Sequence, residues 1–146
     1  MTVPFQTTLL VRDSCLCLHV QRAARALSRR FDDALKPVGL TNEQFSLLMS
    51  LNRPVPARMR DVAELLAVDR TTLTAAVKVL QRRGLLHSAV DPSDRRGRLL
   101  TLTAAGRKAL AAAAPVWKRH HRAVEKLLGG DAGKMRENLK ALQRAG

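Results

Sequence analysis

The segment Asp69–Arg83, with the sequence DRTTLTAAVKVLQRR, constrains the fold more than any other part of the chain. Four apolar residues recur at positions i, i+3, i+4 and i+7, so they share one face of a helix. These residues are Leu73, Ala76, Val77 and Leu80. Asp69 can cap the first free amides, and Gly84 can take the left-handed conformation that ends a helix. The segment therefore predicts one amphipathic helix with defined ends.

The opposite face of this helix is polar and basic, and no acidic residue follows Asp69 within the segment. It carries Thr71, Thr74, Ala75, Lys78 and Arg82. Short hydroxyl groups can approach base edges in a DNA major groove, and flanking cations can contact phosphates. An ordinary amphipathic surface helix is the alternative, and the neighbouring segments favour the first interpretation.

Length and composition limit the classes of protein to consider. A chain of 146 residues is expected to form one domain, and its net charge of +14 favours polyanionic partners, nucleic acid before a membrane surface. Aromatic residues make up only 3%, so stacking platforms for single-stranded bases are scarce. No apolar run is long enough to span a bilayer, and the N-terminus does not resemble a secretory signal. Two cysteines two positions apart cannot form a disulfide framework, which favours the reducing cytoplasm.

A second short helix is predicted just before the basic one. The segment Met59–Ala67 follows a proline-containing loop, Arg53–Ala57, and repeats the apolar stripe. Its stripe consists of Met59, Val62, Ala63 and Leu66. Only Ala67–Val68 separates it from Asp69. Two helices joined by so short a turn, the second basic and rich in hydroxyls, predict a helix-turn-helix.

A β-hairpin is predicted directly after the basic helix. The segments Leu85–Val90 and Leu99–Leu102 are compatible with β-strands, and residues 91–94 (Asp-Pro-Ser-Asp) have the composition of a turn. A hairpin at this place in the chain is a candidate wing beside the recognition helix.

The predicted hairpin tip is cationic, with Arg95, Arg96 and Arg98 at or just after the turn. An arginine at such a tip can enter a narrow minor groove, where negative potential is concentrated. A plain solvated hairpin loop is the alternative, because Asp91 and Asp94 lower the local charge.

Helical patterns also fill the N-terminal part of the chain. Residues 1–13 are expected to form a short, partly ordered lead-in, and a long helix is predicted over Ser14–Leu35. Thr41 and Gln44 fit a capping box for a helix that reaches about Asn52. The buried face of that helix is predicted to hold Phe45, Leu48, Met49 and Leu51.

The C-terminal part is predicted to hold two helices. The first begins after the cap residue Thr103 and runs over Ala104–Leu128, with a kink or a break expected at Pro115. Asp131 can cap the second. The apolar side of the last helix consists of Met135, Leu139 and Leu142.

The two long terminal helices carry more apolar stripe than a monomer of this size needs. The N-terminal stripe comprises Leu16, Val20, Ala23, Leu27, Phe31 and Ala34. The C-terminal stripe comprises Leu110, Ala114, Trp117, His121, Val124 and Leu128. We therefore predict a homodimer whose interface is built from both ends, which also presents two recognition helices to a pseudo-palindromic DNA site.

Several short motifs occur in a characteristic order along the chain. They are Gly39-Leu40-Thr41-x-x-Gln44-Phe45, Val62-Ala63-Glu64-Leu65-Leu66, Asp69-Arg70-Thr71-Thr72-Leu73-Thr74, Leu80-x-x-x-Gly84-Leu85-Leu86, Asp94-Arg95-Arg96, and Leu100-Thr101-Leu102-Thr103-x-x-Gly106. On these motifs the chain resembles the MarR family of winged helix-turn-helix transcriptional regulators. The resemblance implies a homodimer with six helices, a hairpin between the fourth and fifth, and repression that an effector relieves. Ala67 departs from the pattern, because many members have glycine there.

The resemblance also implies roles for individual residues. It places Thr71, Thr72, Thr74, Ala75 and Lys78 towards the groove. It implies that Arg70 and Arg82 contact phosphates or acidic partners, that Asp94 orients basic side chains, that Arg96 enters the minor groove, and that Arg95 can share either of these last two roles.

The identity of the effector depends on how the segment Cys15-Leu16-Cys17-Leu18-His19 is interpreted, and three interpretations are open. Leu16-Cys17-Leu18 resembles the cysteine segment of the organic-peroxide-sensing branch of the family, but this chain has no tyrosine to hold such a cysteine. Metal binding is the second interpretation, although Cys17 would lie opposite Cys15 and His19 on a helix. Burial of the cysteines as small hydrophobes is the third. The effector is then a small, anionic or aromatic molecule. Residues predicted to line its site are His19, Arg22, Phe45, Met49 and Trp117.

Together these features predict a single, mainly α-helical domain with a small β-hairpin wing. Residues 14–52 and 104–146 are assigned to the dimerisation region, and residues 53–103 to the DNA-binding region. No phosphate loop, nucleophile elbow or zinc-hydrolase motif is present, so we expect neither an enzyme nor a cofactor or resident metal. A non-specific architectural DNA-binding protein is the closest alternative, because net charge alone would serve it.

Overall fold

A computed structural model describes all residues, 1–146, and shows seven helices and three short strands. The helices are α1 Phe5–Ser14, α2 Leu16–Leu35, α3 Asn42–Ser50, α4 Met59–Leu66, α5 Arg70–Arg82, α6 Ala104–Lys126 and α7 Ala132–Gln143. The strands are β1 Ala57–Arg58, β2 Leu86–Asp91 and β3 Asp94–Leu102. They form one antiparallel sheet in the order β1-β3-β2. The predicted class, mainly helical with a hairpin wing, is confirmed.

The prediction of a partly ordered lead-in over residues 1–13 is wrong, and so is the six-helix layout, because Phe5–Ser14 forms a helix of its own. Cys15 has extended backbone angles and separates α1 from α2. The helix was missed because its apolar residues are not gathered on one face and none of them is buried. Periodicity detects a helix only where one side is committed to a core.

The loop predicted over Arg53–Ala57 ends in a strand that sequence reasoning missed. Ala57 pairs with Leu100 and Arg58 with Leu99, which adds β1 to the edge of the hairpin. A strand of two residues carries no periodic signal, so only its partner β3 reveals it.

Two predictions about the C-terminal helices also need correction. Helix α6 runs without a break through Pro115, so the break is wrong as an expectation and the kink stays a prediction. Asp131 stands at the start of α7, but its side chain accepts no capping hydrogen bond.

The core lies in the middle of the chain, between the end of α2 and the first half of α6. Its fully buried side chains include Leu35, Leu47, Leu48, Leu73, Leu80 and Leu100. The prediction that Met49 lies on the buried face of α3 is wrong, since Met49 is exposed and Leu47 is buried instead. Helix α3 packs against α2, α4 and α6 at once, so its buried arc is wider than a single stripe.

A close backbone approach fixes the start of α6 against the start of β2. A Cβ atom on Gly106 would lie 1.9 Å from the carbonyl oxygen of Leu85, so only glycine fits there. The hydroxyl of Thr103 accepts from the Gly106 amide and donates to the Gly84 carbonyl, 2.6 Å away. This junction sets the position of the wing relative to the long C-terminal helix.

The terminal helices bury little within their own chain. Helix α1 contains no buried residue, and α7 buries only Ala132. Large apolar side chains exposed on the two ends are Phe5, Leu10, Val11, Leu16, Val20, Leu27, Met135, Leu139 and Leu142. None of the helices combines the length and apolar character needed to cross a membrane.

Candidate nucleic-acid interface

Helix α5 is built as the sequence predicts, with Leu73, Val77 and Leu80 buried in the core. Its first turn is capped by Asp69, whose carboxylate accepts from the Thr72 amide at 2.7 Å and from the Thr72 hydroxyl at 2.9 Å. These hydrogen bonds, the amide's first, lower the pKa of Asp69 below its usual range because they favour the charged carboxylate.

The three threonines of α5 are not equivalent in the structure. Thr72 bonds to the cap, and the Thr74 hydroxyl donates to the Arg70 carbonyl at 2.8 Å while its side chain is half-buried. Thr71 is exposed, and its hydroxyl forms no hydrogen bond within the chain. Threonine in a helix commonly bonds back to the carbonyl four residues before it, which is the sequence signal for Thr74. The other predicted groove residues, Ala75 and Lys78, are exposed.

The wing is a hairpin with three extra residues in its second strand. The ladder runs from Leu86 opposite Leu102 to Val90 opposite Arg98, and then Asp91 pairs directly with Asp94. Residues 95–97 therefore have no partners in β2 and form a bulge beside the turn. Arg95 and Arg96 lie in this bulge and are exposed.

Two aspartates hold the turn of the wing. The buried carboxylate of Asp91 accepts from the Ser93 amide at 2.9 Å and the Ser93 hydroxyl at 2.8 Å, which lowers the pKa of Asp91. Asp94 accepts from the Arg96 amide at 3.1 Å. Asp94 was predicted to orient basic side chains. In the structure its carboxylate contacts the backbone amide of Arg96 and not the guanidinium group.

Two of the predicted DNA-contacting arginines bond to the wing. Arg70 Nη2 donates to the Arg96 carbonyl at 2.7 Å and so joins the start of α5 to the bulge. Arg98 Nε donates to the Ser88 hydroxyl at 3.0 Å. Arg82 is exposed at the end of α5. The predicted DNA contacts of these residues stay predictions, but the structure gives Arg70 and Arg98 a further role in holding the wing.

Sequence reasoning missed two cations near this surface, Arg58 and Arg60. Both flank the start of α4 and line a cavity at the base of the wing. No sequence signal marked them, because they lie on either side of Met59 and belong to no basic stripe or turn motif.

The predicted effector residues lie in two separate places. Phe45 stacks on Trp117 with ring centroids 6.2 Å apart, and Trp117 stacks on His121 at 4.4 Å. His19 and Arg22 instead border a shallow groove on the outside of α2, lined only by α2 side chains. Met49 is exposed on α3. One effector site containing all of these residues stays a prediction.

An ion-pair network continues from the aromatic stack towards α7. His121 Nε2 lies 2.9 Å from Glu125 Oε1, and Arg136 donates to the same oxygen at 2.8 Å. Arg136 first, and His121 second, lower the pKa of Glu125 below its usual range. The network ties the last helix to α6.

The two cysteines occupy different environments at the start of α2. Cys15 is half-buried at the N-cap position, where its sulfur lies 3.5 Å from the Leu18 amide. Cys17 is exposed, and Gln21 donates to its sulfur at 3.2 Å. His19 Nδ1 lies 2.8 Å from the Cys15 carbonyl oxygen. No three histidine, cysteine or acidic side chains in the chain converge as metal ligands would.

Comparisons with known proteins agree with this architecture. The sequence pattern of the MarR family matches residues 38–97. The chain is similar to the M. tuberculosis transcriptional regulator MosR in complex with DNA, at 38% identity over 90% of this chain and 96% of that one, with a TM-score of 0.81. It is also similar to the transcriptional repressor CouR bound to a DNA duplex, at 30% identity over 92% and 95% of the two chains, with a TM-score of 0.77.

A curated relative is the transcriptional activatory protein BadR of Rhodopseudomonas palustris, 34% identical over 95 residues, which are 63% of this chain and 54% of BadR. The chain spans about half the length of the curated relatives it matches first. The fold of the chain is nevertheless similar to that of MosR and CouR over nearly the whole length of those chains.

Proposed function

The chain belongs to the MarR family, and from this premise we propose that it is a homodimeric, sequence-specific DNA-binding transcription regulator without enzymatic activity. It acts as a repressor that a small-molecule effector releases, and it works in the cytoplasm, where its DNA is. The observation that carries the proposal is the pairing of two surfaces. The exposed face of α5, with Thr71, Ala75 and Lys78, is joined through Arg70 to a wing that presents Arg95 and Arg96.

The dimensions of an α-helix match those of a DNA major groove, and short side chains on α5 allow a close approach to base edges. The wing cations are then placed beside the adjacent minor groove, where they need no hydrogen-bond pattern to bind. The chain is similar in fold to MosR solved in complex with DNA, with a TM-score of 0.81, which supports DNA as the partner.

Exposed apolar side chains support the homodimer. Leu16 and Val20 of α2 lie beside Leu139 and Leu142 of α7 along an open apolar groove of about 420 Å³. Apolar side chains of α1 are exposed as well, and exposed apolar patches commonly mark protein–protein interfaces. A second copy covers these side chains by symmetry and presents two α5 helices to one DNA site.

The repressor role and the effector are supported by the similar proteins and by one cationic groove. CouR is described as a repressor and has been solved with p-coumaroyl-CoA, at 27% identity to this chain, whereas BadR is described as an activator. A cationic groove next to His19 and Arg22 favours an anionic effector. Trp117 is the single tryptophan, so its fluorescence reports a ligand that binds against Phe45 or His121.

A redox function through Cys17 is the second candidate. Cys17 is exposed on the first turn of α2, where an oxidant in solution can reach its sulfur. An organic hydroperoxide would oxidise the Cys17 thiol to a sulfenic acid and be reduced to the alcohol. The added oxygen would alter the interface predicted for α2 and thereby the spacing of the two recognition helices.

The test is fluorescence anisotropy of the reduced protein with its own upstream intergenic DNA against scrambled competitor at physiological salt. A regulator is expected to bind its own site at least about 10³-fold more tightly than scrambled DNA. An unchanged preference for the site after treatment with the organic hydroperoxide excludes the redox function. Loss of site-specific binding on oxidation would establish the redox function if a thiol reductant restores the binding and Cys17→Ser prevents its loss. Equal binding to scrambled DNA would contradict the regulator and favour an architectural protein. A promoter reporter then decides between repression and activation.

A further inference from the structure

A cavity of about 290 Å³ lies where the wing meets the starts of α4 and α5. We call it the wing-root notch and define it by Arg58, Arg60, Arg70, Arg98, Asp91 and Asp94. The notch lies between α5 and the wing, the two elements that the proposed function brings to DNA. Arg70 at the start of α5 and Gly97 at the end of the wing bulge both line it.

The notch is positively charged. Four guanidinium groups line it against two carboxylates, and both carboxylates already have partners. The Asp91 side chain is only 7% exposed and accepts two hydrogen bonds from Ser93, and Asp94 accepts from the Arg96 amide. The acids therefore hydrogen-bond to the turn of the wing but keep their charge, and the four arginines exceed them by two positive charges.

The arginines of the notch divide into two kinds. Arg70 and Arg98 are held in place by the Arg96 carbonyl and the Ser88 hydroxyl. Arg58 and Arg60 are exposed, with 53% and 74% of their side chains accessible, and their nearest carboxylate oxygens are 3.9 Å away, too far for a hydrogen bond. Arg60 is thus the freest donor of the group.

From this arrangement we propose that the notch binds one phosphate of the DNA backbone, with Arg60 and Arg58 as its principal donors. The proposal rests on the proposed function, because it takes DNA as the partner. Guanidinium groups present planar pairs of donors that match phosphate oxygens, and two arginines already fixed nearby reduce the entropy lost on binding. A phosphate held here anchors the wing root, so that Arg95 and Arg96 reach the minor groove in register with α5.

The experiment measures how the dissociation constant depends on salt, with a random-sequence duplex of about 25 base pairs as the probe. Backbone contacts do not depend on sequence, so no operator is needed. Each phosphate neutralised contributes about 0.9 to the slope of log K against log salt. Arg60→Gln is expected to reduce the slope by about 0.9 for each protomer on the DNA and to weaken binding about eightfold per protomer at 0.1 M salt.

Two further variants separate a phosphate contact from other effects. Arg60→Lys keeps the charge and is expected to keep the slope. Arg144→Gln removes the same charge from an exposed position after α7 and is expected to leave the slope unchanged within error. Thermal unfolding of all three variants confirms that they are folded.

The outcomes distinguish this proposal from the one on which it rests. If the wild type binds DNA in a salt-dependent way and Arg60→Gln has the same slope, phosphate binding in the notch is contradicted. The proposed regulator function would not be contradicted by that result. An equal loss in Arg60→Gln and Arg144→Gln would also overturn it, because the effect would then belong to net charge. Absence of DNA binding in the wild type would contradict the proposed function itself.

Discussion

The middle of this chain buries its apolar residues within itself, whereas its two ends leave theirs in solvent. From Leu35 to Ala113 the apolar side chains form one closed core, although α1 and most of α7 contribute nothing to it. The difference separates two kinds of amphipathic helix. A helix such as α5 has its partner within the chain, and a helix such as α7 requires a partner from outside it.

Net charge, in contrast, does not distinguish the predicted DNA-binding region from the rest of the chain. Residues 53–103, which contain the winged unit, hold ten cationic and five acidic residues, and the rest of the chain holds sixteen and seven. The net charge is therefore +5 over 51 residues and +9 over 95 residues, which is nearly the same charge per residue. Net charge identifies the class of partner, but the placement of cations on α5, the wing and the notch identifies the surface.

The largest effect is expected where the middle region is most tightly closed. Gly106→Ala places a methyl group against the Leu85 carbonyl, so α6 or the wing must move. We expect a loss of about 3 kcal/mol or more in the free energy of unfolding, measured by urea denaturation. The matched control is Gly133→Ala in α7, where no atom lies within 4 Å and the change is expected to stabilise by up to about 1 kcal/mol. Equal effects would contradict the contrast between closed and open regions.

A charge on the open face is expected to act on assembly instead of folding. Leu139→Asp places a carboxylate among apolar side chains that we assign to the dimer interface. The dimer dissociation constant should rise about a hundredfold or more in sedimentation experiments, because an unpaired charge would be buried. Val90→Asp, a similar change at an exposed position of the wing, should leave the dimer unaffected. A Leu139→Asp protein that remains fully dimeric would exclude α7 from the interface.

A smaller effect of opposite sign is expected at the turn between α4 and α5. Ala67 has a φ of 53°, a left-handed conformation that disfavours residues with a Cβ atom. Ala67→Gly should therefore stabilise the protein by about 0.5–1 kcal/mol in urea denaturation. Ala63→Gly, in the regular part of α4, should destabilise by about 1 kcal/mol. Destabilisation by both glycines would mean that the turn is not strained.

The smallest effect is expected in how the thermal stability of the protein depends on pH. The lowered pKa of Asp69 means that its ionised form stabilises the fold above its ordinary pKa of about 4, and that this contribution is lost as pH falls through the lowered value. Asparagine caps a helix nearly as well and does not titrate. Asp69→Asn should therefore have a Tm close to the wild type at pH 7 and a shallower decline between pH 4 and pH 2. Parallel declines would show that the cap does not contribute to acid sensitivity.

The sequence by itself determined the elements that have strong local signals. The spacing of Leu73, Val77 and Leu80, the cap at Asp69 and the capping box at Thr41 and Gln44 are local properties, and the structure confirms each of them. The turn at residues 91–94 was also predicted, because its residues favour a turn whatever surrounds them.

Only the tertiary structure decided which groups share a surface or a bond. The strand β1, the contact of Arg70 with the wing bulge and the notch at Arg58 and Arg60 all join residues far apart in the chain. The exposure of Met49 and the helix at Phe5–Ser14 were likewise decided by where the core lies. Periodicity shows that a residue has an apolar neighbour on its helix face, but packing determines whether that face meets a core, solvent or a second chain.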